Sequence, residues 1–184
     1  MPSHTLQAYD EELKFLATRI AQMGGHAERM VEEAVAALVN SDEALAQAVI
    51  RNDRVLDEAE REIDDKAVLI IARRQPMAID LREIIGAIRI SADLERVGDL
   101  GKNIAKRVAA AGQTRQPARL FRGIEALAEL ALTQLKDVLD AYGSRTIDRI
   151  GAVRDRDEEI DAKYTSLFRE LLTYMMEEIG RAHV

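Results

Sequence analysis

Pro76 to Arg107, PMAIDLREIIGAIRISADLERVGDLGKNIAKR, is the stretch whose reading decides the fold. Apolar residues recur at Leu81, Ile84, Ile85, Ile88, Leu94, Val97, Leu100, Ile104 and Val108, the three-and-four stepping of one long amphipathic helix. Glu95, Asp99 and Asn103 follow one another at steps of four and stand in a row on that helix, neighbours about 5–6 Å apart. By helical phase the row lies away from the apolar stripe, so it is expected to face solvent or a partner. Two carboxylates placed in this way repel by about 0.2–0.5 kcal/mol unless a cation offsets them, and Lys102, three residues past Asp99, can supply the charge. The row reads equally as a solvated face and as ligands of a shared cation. Gly98 and Gly101 each cost about 1 kcal/mol of helix propensity, which close approach of a neighbouring helix or ligand would offset. Asp80 and Glu83, near the start, are read first as capping residues favoured by the helix dipole.

Upstream, Leu6, Tyr9, Leu13, Leu16, Ile20, Met23, Ala27, Met30, Ala34 and Leu38 mark a first long helix, interrupted by Gly24-Gly25, where a bend or a close helix contact is expected. Asn40-Ser41-Asp42 ends it and caps a second helix running to about Arg74. Beside the apolar stripe of that helix, Asp53, Asp57, Glu60 and Asp64 form a strip of one charge sign, with Arg54 and Arg61 in adjacent rows able to neutralise it. Pro76 stops the second helix, and the third is expected to follow at once. Downstream, AAAGQTRQPAR reads as a linker. Leu120, Ile124, Leu127, Ala131, Leu135 and Val138 then mark a fourth helix, Gly143-Ser144 breaks it, and a fifth runs from about Thr146.

The composition excludes several classes. Of 184 residues, 47% are hydrophobic and only 4% aromatic, with 3 prolines, which suits an all-helical soluble protein and not a sandwich or barrel. There is no Cys, so disulfides, Cys-ligated metal and thiol nucleophiles are out, and a reducing cytoplasm is the expected compartment. A net charge of −7 disfavours nucleic acid as a partner and suits cation binding. The N-terminus lacks the pattern of an export signal, and the longest apolar run, Ala67 to Ala72, is too short to span a bilayer. No Gly-rich phosphate loop, Gly-x-Ser-x-Gly elbow or paired nucleophile and base occurs, so an enzyme is not expected.

Shifted against itself by 104 residues, the chain matches without gaps: Leu16 with Leu120, Ile20 with Ile124, Ala27 with Ala131, Ala48 with Ala152, Val49 with Val153, Asp53 with Asp157 and Asp57 with Asp161. Apolar and acidic positions share the offset, which argues for two copies of one helical unit, the first of three helices and the second of two.

At ADLERVGDLGKNIAKR, preceded by QPMAIDLR, the sequence resembles the PhoU family, accessory regulators of bacterial phosphate uptake and phosphate signalling. The resemblance covers residues 5 to 178 and is carried most specifically by Gln75-Pro76, Asp80-Leu81-Arg82 and Leu94-Glu95-Arg96-Val97-Gly98-Asp99. It implies an all-α fold of tandem three-helix bundles, the second lacking its third helix. The expected divisions are a first bundle at 5–111, a linker at 112–118, a partial second bundle at 119–178 and a non-native tail at 179–184, whose IGRAHV matches the translation of a sequencing-adapter string. On this reading the second unit is cut short, its helices lack a cover over residues 118–178, and His183 is no ligand.

The resemblance also implies metal clusters held by paired (Asp/Glu)-x-x-x-Asp motifs. Carried over by position, these are Asp53 and Asp57 with Glu95 and Asp99 as a first site, and Asp157 and Asp161 as what remains of a second. All-oxygen donors suit hard cations, a divalent or ferric ion, with iron, manganese, magnesium and zinc left open. The implied role is a non-enzymatic regulator restraining a phosphate ABC transporter and its sensor histidine kinase when phosphate is plentiful. It would be a cytoplasmic homodimer, peripheral to the membrane only through its partners. Two alternatives stand beside it. One is a ferritin-like di-metal carboxylate protein, disfavoured because no Glu-x-x-His pair is present. The other is a metal-free helical scaffold.

Overall fold

A computed structural model describes residues 2–111, 118–146, 148 and 150–182. Five helices account for nearly all of them: α1 (Pro2–Asn40), α2 (Glu43–Arg74), α3 (Ile79–Ala111), α4 (Ala118–Ser144) and α5 (Ile150–Ala182). No strand occurs among the described residues, in keeping with the all-α reading. The linker expected at 112–118 lies outside the described residues except for Ala118, which opens α4. Of the expected tail, residues 179–182 continue α5 and residues 183–184 lie outside the described set.

The helix boundaries follow local chemistry. Asp42 caps α2, its side chain accepting from the Leu45 amide at 2.9 Å, and the acidic Glu43 sits in the first turn where the dipole favours it. At the other end Gln75 takes the left-handed conformation, φ 50 and ψ 54, and donates its amide to the Ile71 carbonyl. Met77 and Ala78 then form a turn, so α3 begins at Ile79 rather than directly at Pro76. Asp80 does lie in its first turn. Glu83 does not act as a cap: it forms an ion pair with Arg145 at the end of α4.

α1, α2 and α3 pack on one another as a three-helix bundle; α4 docks on α1, and α5 packs on α4 alone among the described residues. The core is built from Leu16, Ile20, Met23, Met30, Val49, Leu56, Ile63, Ile70, Ile84 and Leu94 with intervening alanines. The repeat reappears in burial. Ala141 of α4 and Leu167 of α5, both buried, stand 104 residues beyond Ala37 and Ile63, which are buried in the bundle. α5 leaves Tyr164, Phe168, Leu172, Met175 and Met176 exposed. No helix among the described residues is long and apolar enough to cross a membrane.

The phase of α3 differs from the sequence reading. Ile84, Ala87, Ser91, Leu94, Gly98, Gly101, Ala105 and Val108 face inward, while Leu100 is 63% exposed and Ile85 is exposed as well. Small residues win the buried stripe because α3 runs close against both neighbours. A Cβ at Gly98 would overlap the Leu56 side chain of α2, and one at Gly101 would lie 3.1 Å from the backbone carbonyl of Met30 on α1. Ser91 tolerates full burial by donating to the Ile88 carbonyl at 2.8 Å. The Gly24-Gly25 pair produces no break in α1; Gly24 instead receives Leu139 of α4, the close contact that was the other expected outcome.

Half-buried ion pairs clamp the α1–α2 face. Arg74 donates Nε to Glu12 at 2.9 Å, Lys66 stands 3.6 Å from the same carboxylate, and Arg19 reaches Glu62 at 2.7 Å. The hydrogen bond from Arg74 holds the Glu12 carboxyl below its ordinary range against the opposing effect of burial.

Two outcomes are expected of this packing. Gly98→Ala gains helix propensity but its methyl overlaps the fully buried Leu56 side chain, so urea denaturation is expected to show a loss of about 1–3 kcal/mol; a gain in stability would show that Leu56 repacks without cost. Because the folded state depresses Glu12, its contribution is complete above the unfolded glutamate value and disappears as pH falls through the folded one. Glu12→Gln is therefore expected to destabilise by about 1–2 kcal/mol at pH 7. The difference should shrink progressively below the ordinary glutamate value of 4.5.

Candidate metal centre on helices α2 and α3

Along the α2–α3 contact the acidic strip of one helix meets the polar row of the other. Asp53 is only 7% exposed, and Asp57, Glu60, Glu95 and Asp99 are half-buried. Glu95 and Asp99 thus border α2, with Asp99 still partly in solvent, a correction to the phase taken from sequence; Asn103, one turn further along, is exposed as expected. The apolar periodicity centres the stripe on large side chains, whereas the close approach at Gly98 rotates the helix so that Glu95 and Asp99 flank the contact.

The charge balance is uneven. Glu95 is pushed above the usual carboxylate range, first by burial and then by the negative charges of Asp99, Glu60, Asp57 and Asp53. Arg54, which could have neutralised the strip, turns away to pair with Glu58 at 3.3 Å. One cation does enter: Lys102 pairs with Asp53 and lies 2.7 Å from Asp99 Oδ1, bridging the two helices. Its ammonium is held well above the ordinary lysine range, chiefly by the hydrogen bond to Asp53 and next by that to Asp99. Further along the strip, Asp64 Oδ1 is buried without a partner.

The donor set suits a hard cation. Carboxylate oxygens from two facing helices, one proton-retentive glutamate and an orphaned aspartate oxygen on the same strip form the electrostatics that oxygen-liganded ions exploit. Among the described residues, however, no three acidic or histidine side chains converge as ligands of one ion. The nearest approach to a shared cation is the Lys102 bridge. Lys102 was legible as a local i,i+3 partner of Asp99; its reach to Asp53, 49 residues away, was not.

Asp157 and Asp161 occupy the equivalent positions on α5 and are both exposed. α5 packs only on α4, so no described helix stands opposite them as α3 stands opposite Asp53 and Asp57. The structure brings the first four candidate residues to one interface and leaves the last two as an isolated pair.

The PhoU domain model matches residues 20–108 and 124–183, two segments whose starts differ by the same 104 residues as the internal repeat. The chain is 65% identical over 176 residues to the phosphate-specific transport system accessory protein PhoU homolog of Rhizobium meliloti (strain 1021), covering 96% of this chain and 74% of the relative. It is 47% identical, over 96% of this chain and 76% of the relative, to the protein of the same description from Caulobacter vibrioides (strain NA1000 / CB15N). Among solved structures, that of PhoU from Pseudomonas aeruginosa is similar with a TM-score of 0.88 and 34% identity, covering 94% of this chain and 82% of that one. The phosphate transport system regulatory protein PhoU from Streptococcus pneumoniae gives 0.83 and 25%, over 92% and 79%.

Like charges crowded at Glu95 have a measurable consequence. A carboxyl whose folded value is raised holds its proton more tightly in the folded state, so its contribution to stability falls as pH rises through the window above 4.5. In chelator, Glu95→Gln is expected to melt higher than wild type at pH 7 and to lose that advantage near pH 4. A lower melting temperature at pH 7 would show that the Glu95 charge is compensated.

Proposed function

The chain belongs to the PhoU family, and from that premise we propose that it is a metal-binding regulator of phosphate uptake and phosphate-starvation signalling, restraining a phosphate ABC transporter and its sensor histidine kinase when phosphate is plentiful. The regulatory role in phosphate uptake comes with the family. Metal binding is supported by one observation above the others: Asp53 and Asp57 of α2 and Glu95 and Asp99 of α3 lie along a single helix contact that carries excess negative charge.

Those four carboxylates would hold a divalent or ferric ion, iron, manganese, magnesium or zinc, which when bound supplies positive charge that ties α2 to α3. Asp53 is the buried anchor, Asp99 and Glu95 lie on the facing helix, and Asp57 extends the donor set by one turn along α2. Asp157 and Asp161 form half of a second site to be completed by carboxylates of another helix. Nothing in this donor set is a nucleophile with a base, and the function is regulatory and not catalytic. Phosphate itself is sensed through the metal or through the transporter, and the protein works in the cytoplasm as a homodimer, reaching the membrane only through its partners.

A metal-free scaffold is the second reading, favoured by the Lys102 bridge, which already satisfies Asp53 and Asp99. The ferritin-like alternative lacks support, since no Glu-x-x-His pair joins the carboxylates. Elemental analysis of protein equilibrated with manganese, magnesium, zinc or, under anaerobic conditions, ferrous iron separates these readings. Wild type is expected to retain at least one ion per chain, and Asp57→Asn with Asp99→Asn to lose it. Ion content at background in both proteins favours the scaffold, and oxygen consumption with ferrous iron favours the enzyme.

A further inference from the structure

We propose that Lys102 is a tethered counter-cation that occupies the α2–α3 carboxylates in the metal-free protein and competes with an incoming ion for Asp53 and Asp99. The inference deepens the metal-binding reading and depends on it for the identity of the competitor. Its grounds are geometric. Lys102 follows Gly101, whose missing side chain lets α3 press against the Met30 backbone of α1, and from that position the ammonium crosses to Asp53 on α2 while keeping Asp99 on its own helix at 2.7 Å. Asp53 is too deeply buried to be satisfied by bulk water, so a charge without a partner there is costly and the lysine answers that need. Among the described residues Asp57, Glu60 and Glu95 form no comparable ion pair across the α2–α3 contact, which leaves negative charge beside the ammonium.

An ion held by Asp53 and Asp99 would share their oxygens with the Lys102 ammonium and would be repelled by it. Metal binding therefore displaces the lysine from its two partners toward solvent, a path open to a flexible side chain that is already 22% exposed. The affinity of the centre is then the difference between two cations competing for one pair of carboxylates, and the same exchange swaps a flexible tether between α2 and α3 for a rigid one. This gives the regulator a metal-dependent contact that remains closed in either state but differs in charge and in the position of one lysine.

The test is metal titration of wild type, Lys102→Met and Lys102→Arg by calorimetry with Mn²⁺, together with melting curves in chelator and in saturating Mn²⁺. Lys102→Met removes the competitor at similar length, and is expected to bind Mn²⁺ at least tenfold more tightly than wild type. In chelator it is expected to melt lower, because Asp53 loses its partner, and to show a larger rise on Mn²⁺ addition. Lys102→Arg retains the charge and should stay near wild type in affinity. If wild type binds Mn²⁺ and Lys102→Met binds equally or more weakly, the competition is refuted while the metal reading stands. If neither protein binds Mn²⁺ or ferrous iron, both fall. If Lys102→Met does not fold in chelator, folding rescued by Mn²⁺ supports the exchange, and failure of rescue overturns it.

Discussion

At Gly98 and Gly101 the backbone of α3 runs against Leu56 of α2 and Met30 of α1 with no room for a methyl group, and that spacing governs both the core and the polar contact beside it. Helices this close bury alanine, serine and glycine in the seam and push larger residues such as Leu100 outward. The same approach sets α3 at the rotation where Glu95 and Asp99 border α2, and it brings the Lys102 ammonium within reach of Asp53. A wider seam would accommodate a conventional leucine stripe but would separate the carboxylates from one another and from their lysine. Packing and electrostatics are therefore one constraint here: small residues produce the proximity, and proximity concentrates charge.

That concentration is only partly compensated. A fully paired strip would be an ordinary structural ion-pair network, worth little at a surface and barely favourable when half-buried. Lys102 satisfies Asp53 and Asp99, while Glu95 carries the strain of Asp57 and Glu60 nearby. The surplus negative charge between these two helices is the feature on which the metal-binding proposal rests. α5 displays Asp157 and Asp161 in the same register, but among the described residues it packs on α4 alone, and both aspartates are exposed.

Much of this was legible in the residues. Apolar periodicity located all five helices, Asp42 announced the cap of α2, the two glycines of α3 announced a close approach, and the 104-residue offset announced a duplicated unit. The errors cluster where periodicity was asked to give rotation. The three-and-four spacing puts Leu100 and Ile85 inside and, by phase relative to that stripe, Glu95 and Asp99 outside; Pro76 marks the start of α3 in the sequence, but the left-handed Gln75 and the turn at Met77 and Ala78 delay it to Ile79. Glu83 was assigned a local capping role, yet its partner, Arg145, lies 62 residues away.

The sequence by itself determined the helical class, the element order, the duplication and the residue types gathered on each face, because these follow from local propensity and from spacings within a few turns. Only the tertiary structure decided which face of α3 is buried, that Glu95 and Asp99 look toward α2, and that Lys102 spans to Asp53. Rotation about a helix axis costs nothing in local energy; it is fixed by how closely the neighbours can approach, and that depends on atoms distant in the chain. The opening row of Glu95, Asp99 and Asn103 divides along this line, its first two residues drawn into the helix contact and its third left in solvent.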